Sequence, residues 1–380
     1  MTALTLRGAE VLWPDGPGPG DLAIDGGRIG TGCAGRVVDL SGFLILPGLI
    51  DLHGDGFEHH LAPRRGALSD LGAGLLSAEA ELAAHGITTA YLAQFLSWEG
   101  GMRGVGFAAR MLAALDAMRD TVATDLRAQL RLEVTGFEDY PALEEMVARH
   151  GVGYVVFNDH LPHDALARGK RPPRLTGQAL KAGRSPEAHL ALLQELHGRM
   201  PEVPDRLAAL GQRLRAQGVR LGSHDDSTAQ DRRAAHATGA LVAEFPETIE
   251  AAETARSQGD AVIMGAPNLV RGGSHKGNAG AREMVAMGLV DALASDYHAP
   301  SLARAAFCLV DEGICDLAKA WALVSSGPAR IMGLTDRGTL AEGTRADLVV
   351  IERATRRIGA TVAGGRISYL TGAAAARFLA

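Results

Sequence analysis

The sequence predicts an α/β protein: a (β/α)8 TIM-like barrel with a small β domain assembled from both chain ends. Three observations lead there. Eight apolar, strand-like runs alternate with helix-period stretches through the middle of the chain. Both ends carry short alternating strands punctuated by glycine pairs. Ionisable residues gather at the C-terminal ends of the central runs.

The ends come first. "LTLRGAEVLW", "GDLAIDGGRIG" and "RVVDLSG" read as short strands, and Asp25-Gly26 followed by Gly27 is a tight hairpin signal. "GTLAEGTRADLVVIE" and "IGATVAGGRIS" repeat the style, with Gly364-Gly365 as a second hairpin signal. The shared style pairs residues 1–47 and 336–380 into one small β domain and leaves 48–335 to the barrel.

The central runs are "FLILPGLIDLH", "GITTAYLAQF", "AQLRLEVTG", "VGYVVFNDH", "VRLGSHDDS", "ALVAEFP", "AVIMGAPNL" and "VDALASDY". Helix-period stretches such as "DLGAGLLSAEAELAAHG" and "VPDRLAALGQRLRAQG" separate them. Apolar runs between helices imply a parallel sheet covered on both faces. Eight such units fit a closed barrel. An open doubly wound sheet is the alternative, but no GxGxxG follows the first run.

Bulk properties exclude several classes. With 380 residues, 47% of them hydrophobic, the chain can bury a sizeable core. A net charge of −6 gives no basic footprint for nucleic acid, so an anionic substrate would need local basic groups. Cys33, Cys308 and Cys315 form no CxxC pair, which argues against a disulfide framework or a cysteine-held zinc. "MTALTLRGAEVLWPDG" lacks the pattern of a signal peptide, and no apolar run reaches membrane-spanning length. The expectation is a cytoplasmic protein acting on a small molecule, with homo-oligomerisation left open.

The polar strand ends carry the chemistry. They hold His53 and Asp55, Glu133, Asp159 and His160, His224 with Asp225 and Asp226, and Asp296. In a parallel barrel these ends share one face, where active sites are built. Residues two apart on a strand point the same way, so His53 and Asp55 can both face the mouth. Singly, each has a plainer reading: an HxD pair as a surface turn, a lone histidine as a buried structural one. Glu133 lies between Leu132 and Val134 and needs a partner, for which a structural arginine would serve. Together, three histidines and three carboxylates suit a pair of divalent ions, with zinc, manganese or iron all compatible. Such a pair can make a nucleophile from water near neutral pH.

Two loops look suited to phosphate. "GAPNLVRGGSHKGNAGAREM" is glycine-rich, precedes a helix and carries Arg271, His275, Lys276 and Arg282. "APRRGA" places Arg64 and Arg65 beyond the first ligand corner. Both are equally readable as solvated surface turns. At "SHDDST", Asp225 is expected to point away and orient a neighbour, and Asp226 to ligate or orient. His85 reads as a helix C-terminal cap. His150, His189, His197 and His236 lie in helical segments read as mostly solvated and are assigned nothing.

Read together, "LPGLIDLH", "SHDDST", "AEFPET", "MGAPNLVRGGSHKGNAGARE", "SDYHAPSL" and "GTLAEGTRADLVV" resemble the amidohydrolase superfamily. More narrowly, they resemble its α-D-ribose 1-methylphosphonate 5-triphosphate diphosphatase branch, across nearly the whole chain. The resemblance implies a barrel with a small β-sandwich and a metal-activated hydroxide that attacks the α-phosphorus of a ribose 5-triphosphate. Pyrophosphate would leave and a 5-phosphate ester remain. By position, His53 and Asp55 match the first-strand ligands, Glu133 the bridging carboxylate, and His160 and His224 the later histidines. Asp296 matches the last-strand aspartate, a metal ligand and proton shuttle. Counting runs puts some of these one strand earlier than the superfamily pattern, which implies a strand missed or inserted in the count.

There are departures. The branch has threonine after the first histidine, asparagine after the aspartate and a "PRP" beyond; here stand Gly54, Gly56 and Pro63-Arg64-Arg65. Where it has "H.PGQ", this chain has "HLPHD", with His163 at the glycine. The metal frame is kept and substrate-facing positions differ. The rival reaction is hydrolysis of an N-acyl or cyclic amide C–N bond. Its carboxylated-lysine form needs a lysine on a buried strand, and Lys170, Lys181, Lys276 and Lys319 all lie elsewhere. A barrel kept as a non-catalytic scaffold would have lost ligands that this chain retains.

Overall fold

The structure is a computed structural model, and it describes residues 3–30, 32, 35–64, 70–272 and 280–380. Seven strands open the chain: β1 (Leu4–Arg7), β2 (Glu10–Trp13), β3 (Gly16–Pro19), β4 (Leu22–Asp25), β5 (Arg28–Gly30), β6 (Arg36–Asp39) and β7 (Phe43–Pro47). The barrel strands follow: β8 (Leu49–Gly54), β9 (Ile87–Leu96), β10 (Asp125–Glu133), β11 (Tyr154–Asn158), β12 (Arg220–His224), β13 (Val242–Glu244), β14 (Ala261–Gly265) and β15 (Ala292–Ala294). β16 (Leu348–Glu352), β17 (Ile358–Ala363) and β18 (Arg366–Leu370) end the strand list.

β8 to β15 form one sheet in chain order, and Gly54 bridges Asp296 in parallel, bringing the first strand beside the end of the last. This is the expected barrel. Each of the eight runs contains one of its strands, so the count was right and no strand was missed or inserted. β9 is ten residues long and buried throughout, as a parallel strand covered on both faces must be.

The terminal strands form two sheets, ordered β5-β4-β1-β6 and β18-β17-β16-β7-β2-β3. β16 runs antiparallel to β7, from Leu348 opposite Pro47 to Glu352 opposite Phe43, so the two chain ends do share a sheet. Leu6, Val11, Ile24, Ile45, Val350 and Phe378 belong to the core these elements bury. Both glycine pairs make the expected hairpins. Gly26 and Gly27 have φ of 54° and 79°, and Gly364 and Gly365 have 56° and 74°, the two consecutive left-handed residues of a type I′ turn. Residues 43–53, read as one run, break at Pro47: β7 joins the terminal sheet and β8 the barrel.

By compactness the chain divides into two units, one of Met1–Leu92, Ala117–Arg127 and Ile263–Ala380, the other of Ala93–Asp116 and Ala128–Val262. Helix starts are chemically marked. Asp70 accepts from Ala73 N, Ser185 accepts from Ala188 N, and Thr228 with Asp231 forms a reciprocal capping box. His85 is the C-cap of Leu71–Ala84, as expected. Among the described residues no helix is long and apolar enough to cross a membrane.

Candidate metal centre

In the first unit, β8 and β15 bring His53, Asp55 and Asp296 together. One ligand atom from each lies within 4.8 Å of the other two. His53 is fully buried, while Asp55 and Asp296 are half-buried. Backbone bonds fix the trio: Asp296 N donates to His53 O at 2.8 Å, and Asp55 N donates to Asp296 O at 2.9 Å. Asp296 is left-handed, with φ 55°, a costly conformation for a residue with a side chain and one that clusters at functional sites.

Beneath the trio sits Asp51, fully buried. Its Oδ1 accepts from Ser295 N at 2.9 Å and from His53 N at 3.3 Å, and its Oδ2 accepts from Ser295 Oγ at 2.6 Å. Burial pushes its carboxyl above the ordinary range, and these bonds pull it back. Asp51 ties the backbone before one ligand strand end to the backbone before the other. It also accounts for Gly54. A Cβ there would stand 2.7 Å from Asp51 Oδ2 and 3.1 Å from Ser295 Oγ, so the space a threonine would need is taken. At Gly56 a Cβ would come 3.3 Å from Tyr297 O.

In the second unit, His160, His224 and Asp225 form another ligand trio at the same spacing. Each histidine is held by a buried acid. Glu133, 1% exposed at the end of β10, accepts from Trp98 Nε1 at 3.1 Å and from His160 N at 3.1 Å. His160 Nδ1 donates to the other Glu133 oxygen at 2.5 Å. The carboxylate therefore fixes the ring and leaves Nε2 for a ligand, the usual arrangement behind a metal-binding histidine. His224 Nδ1 faces Glu244 Oε2 at 3.4 Å, while Arg131 donates to His224 Nε2 at 2.9 Å. Glu244, fully buried, also accepts from Gln129 Nε2 and Tyr154 OH, both at 2.6 Å. Asp225 and Phe245, just past β12 and β13, are left-handed with φ of 60° and 54°. Imidazole and carboxylate donors at these spacings fit a divalent ion of the zinc, manganese or iron type.

Several expectations change. Glu133 pairs with an indole and an imidazole rather than with the arginine of the plain reading, and it stands in neither trio. Asp225 does not point away: its Oδ1 lies 3.6 Å from His224 Nε2. Asp226 is structural, pairing with buried Arg232 at 2.9 Å and Ser223 Oγ at 2.6 Å. Arg282 is also structural, bonded to Leu269 O and Glu312. Arg271 donates to Tyr297 OH and Asn268 Oδ1 near the end of β14, and Arg64 is exposed. Arg65, His275 and Lys276 lie outside the described residues. His189 is not solvated. It is fully buried beside Trp98, and neither ring nitrogen has a hydrogen-bond partner. His150 is largely buried against Asp116.

Arg131 and Glu244 were missed, and Asp51, one of the ligand-type residues crowded between Pro47 and His60, was given no role. For Asp51 and Glu244 the signal was that of Glu133, a carboxylate inside an apolar strand. Arg131 alternates with Glu133 along β10 and carried the same signal with opposite charge.

Comparison with known proteins agrees with the geometry. A family model described as "Amidohydrolase family" matches residues 72–369. The chain is 35% identical over 337 residues to the alpha-D-ribose 1-methylphosphonate 5-triphosphate diphosphatase of Escherichia coli (strain K12), covering 85% of this chain and 87% of that one. Solved structures share the fold. N-acetylglucosamine-6-phosphate deacetylase from Thermotoga maritima matches 97% of this chain and 100% of its own, at TM-score 0.63 and 15% identity. Beta-aspartyl dipeptidase from Fervidobacterium islandicum AW-1 matches 98% and 99%, at TM-score 0.61 and 15% identity.

Proposed function

The chain belongs to the amidohydrolase family and is a metal-dependent hydrolase; from that premise we propose that it releases pyrophosphate from α-D-ribose 1-methylphosphonate 5-triphosphate or a related phosphorylated substrate. One observation carries the reading: the 35% identity to a diphosphatase runs over most of both chains.

C-terminal strand ends share one face of a (β/α)8 barrel. On that basis His53, Asp55 and Asp296, and His160 and His224, serve as metal ligands. Glu133 and Glu244 orient the two histidines. Two divalent ions, zinc or else manganese or iron, would supply a lowered pKa for water and a polarised phosphoryl bond. Asp296 accepts the proton of the attacking water. Attack at the α-phosphorus then leaves pyrophosphate and a 5-phosphate ester, with one P–O bond formed and one broken. Arg64, Arg271, His275 and Lys276 bind the phosphates as basic groups in an otherwise acidic chain. The catalytic part is the barrel, residues 48–335, with 1–47 and 336–380 as the supporting domain.

The test is a pyrophosphate-release assay on ribosyl and nucleoside triphosphates beside a panel of N-acyl and cyclic amides. Pyrophosphate release with no amide turnover is expected. Amide hydrolysis without pyrophosphate release would replace this reading with C–N bond cleavage. Lys276→Ala is expected to raise KM for the triphosphate and spare an uncharged substrate.

A further inference from the structure

The second unit holds a cluster that the proposed reaction does not use. His163 opens the helix His163–Ala167, and His197 lies near the end of the helix Pro186–Gly198. Their Nδ1 atoms face each other at 2.7 Å, with ring centroids 5.0 Å apart. The far nitrogen of His163, Nε2, lies 2.8 Å from Asp159 Oδ2. With Nε2–H donated to that carboxylate, the remaining lone pair of His163 points at His197 Nδ1. A neutral His197 carrying its proton on Nδ1 would donate to that lone pair, and a cation bound by both nitrogens is the alternative partner.

A carboxylate behind an imidazole whose other nitrogen is presented outward is the arrangement that orients metal-binding histidines. The His163 and Asp159 side chains are 32% and 29% exposed, so ions in solvent can reach them. In a tetrahedral zinc site with Zn–N of about 2.0–2.1 Å, two ligand nitrogens stand roughly 3.3 Å apart. To hold the ion the nitrogens would part from their 2.7 Å contact and the rings would turn so that both lone pairs converge on it. His163 is also the residue that stands where the resembled pattern has glycine, so one of the two imidazoles is this chain's own departure from it.

We propose that His163 and His197 form a two-imidazole site for one transition-metal cation of the zinc class, with Asp159 as its orienting carboxylate and water completing the coordination. The site is additional to the proposed catalytic ligands, and its test does not read activity.

Metal-loaded enzyme is titrated with zinc by calorimetry, and its zinc content is counted after gel filtration. Wild type is expected to take one equivalent more than His197→Gln and than His163→Gly, the latter restoring the resembled pattern. Asp159→Asn is expected to weaken that extra binding by about 10–100-fold. Added copper should give an electron paramagnetic resonance spectrum with two nitrogen ligands in wild type only. Equal uptake and affinity in wild type and either histidine variant, each folded by circular dichroism, overturns the site and leaves a proton-sharing pair.

Discussion

Gly54→Ala is the smallest change that reaches the first ligand trio without touching a ligand. The added Cβ would sit 2.7 Å from Asp51 Oδ2, closer than real Cβ contacts come. That oxygen cannot simply turn away, because it is buried and accepts from Ser295 Oγ at 2.6 Å. Relief means losing that bond or parting β8 from the segment after β15. A hydrogen bond to a charged group is worth about 1.5–3 kcal/mol, so we expect a loss of stability near 2 kcal/mol. The same bond joins the two segments that carry His53, Asp55 and Asp296, alongside the backbone bonds between them. If about 1.4 kcal/mol of the distortion falls on the trio, metal affinity drops about tenfold. Urea unfolding with and without metal, together with a zinc titration, reads both effects. Gly106→Ala is the control: it lies in the helix Val105–Met118 with nothing near its added Cβ, so it should be neutral or mildly stabilising. A Gly54→Ala protein as stable as the control, binding zinc as wild type does, would refute the role given to Asp51 and Ser295.

Asp296→Asn should keep most of its metal and lose turnover by about 100-fold or more, the scale of lost acid–base catalysis; near-normal turnover would remove Asp296 from proton transfer. His189→Leu should raise stability by about 1 kcal/mol in urea unfolding, because it removes two buried polar atoms that lack partners. A marked loss there would mean that the ring's fit beside Trp98 outweighs its unmet polarity. Burial pushes the Asp347 carboxyl up to about 6 from an ordinary 3.8, with Arg345 pulling against it. The native state therefore holds that proton more tightly than the unfolded chain, and stability falls as pH rises between those values. Asp347→Asn keeps an acceptor for Gly364 N and should flatten the fall by roughly 3 kcal/mol, measured as unfolding free energy against pH. An unchanged slope would mean that Asp347 titrates normally.

Much of the fold was legible because parallel barrel strands write themselves as buried runs and type I′ turns demand glycine. The eight runs and both hairpins came from those two rules. The clustered polar residues were legible where one ended an apolar run, as at His53, His224 and Asp296, which stand in the groups able to hold an ion. What sequence could not supply was partnership. Glu133, Glu244 and Asp51 look alike in a string, each a carboxylate among aliphatics. Which binds an imidazole and which ties two backbones together depends on neighbours at other strand ends, His160 for Glu133, His224 for Glu244 and distant Ser295 for Asp51. His189 was misread for a different reason. It shares a helical stripe with Leu193 and Leu196 at spacings of four and seven, which marks a buried face, but its polarity suggested solvent.

The reaction itself is tested most directly in 18O-enriched water with a ribosyl 5-triphosphate and metal-loaded enzyme, with mass spectrometry of both products. Attack at the α-phosphorus predicts one 18O in the 5-phosphate ester and none in the pyrophosphate. Label in released pyrophosphate or orthophosphate, or no phosphorus product at all beside a hydrolysed amide, would contradict it.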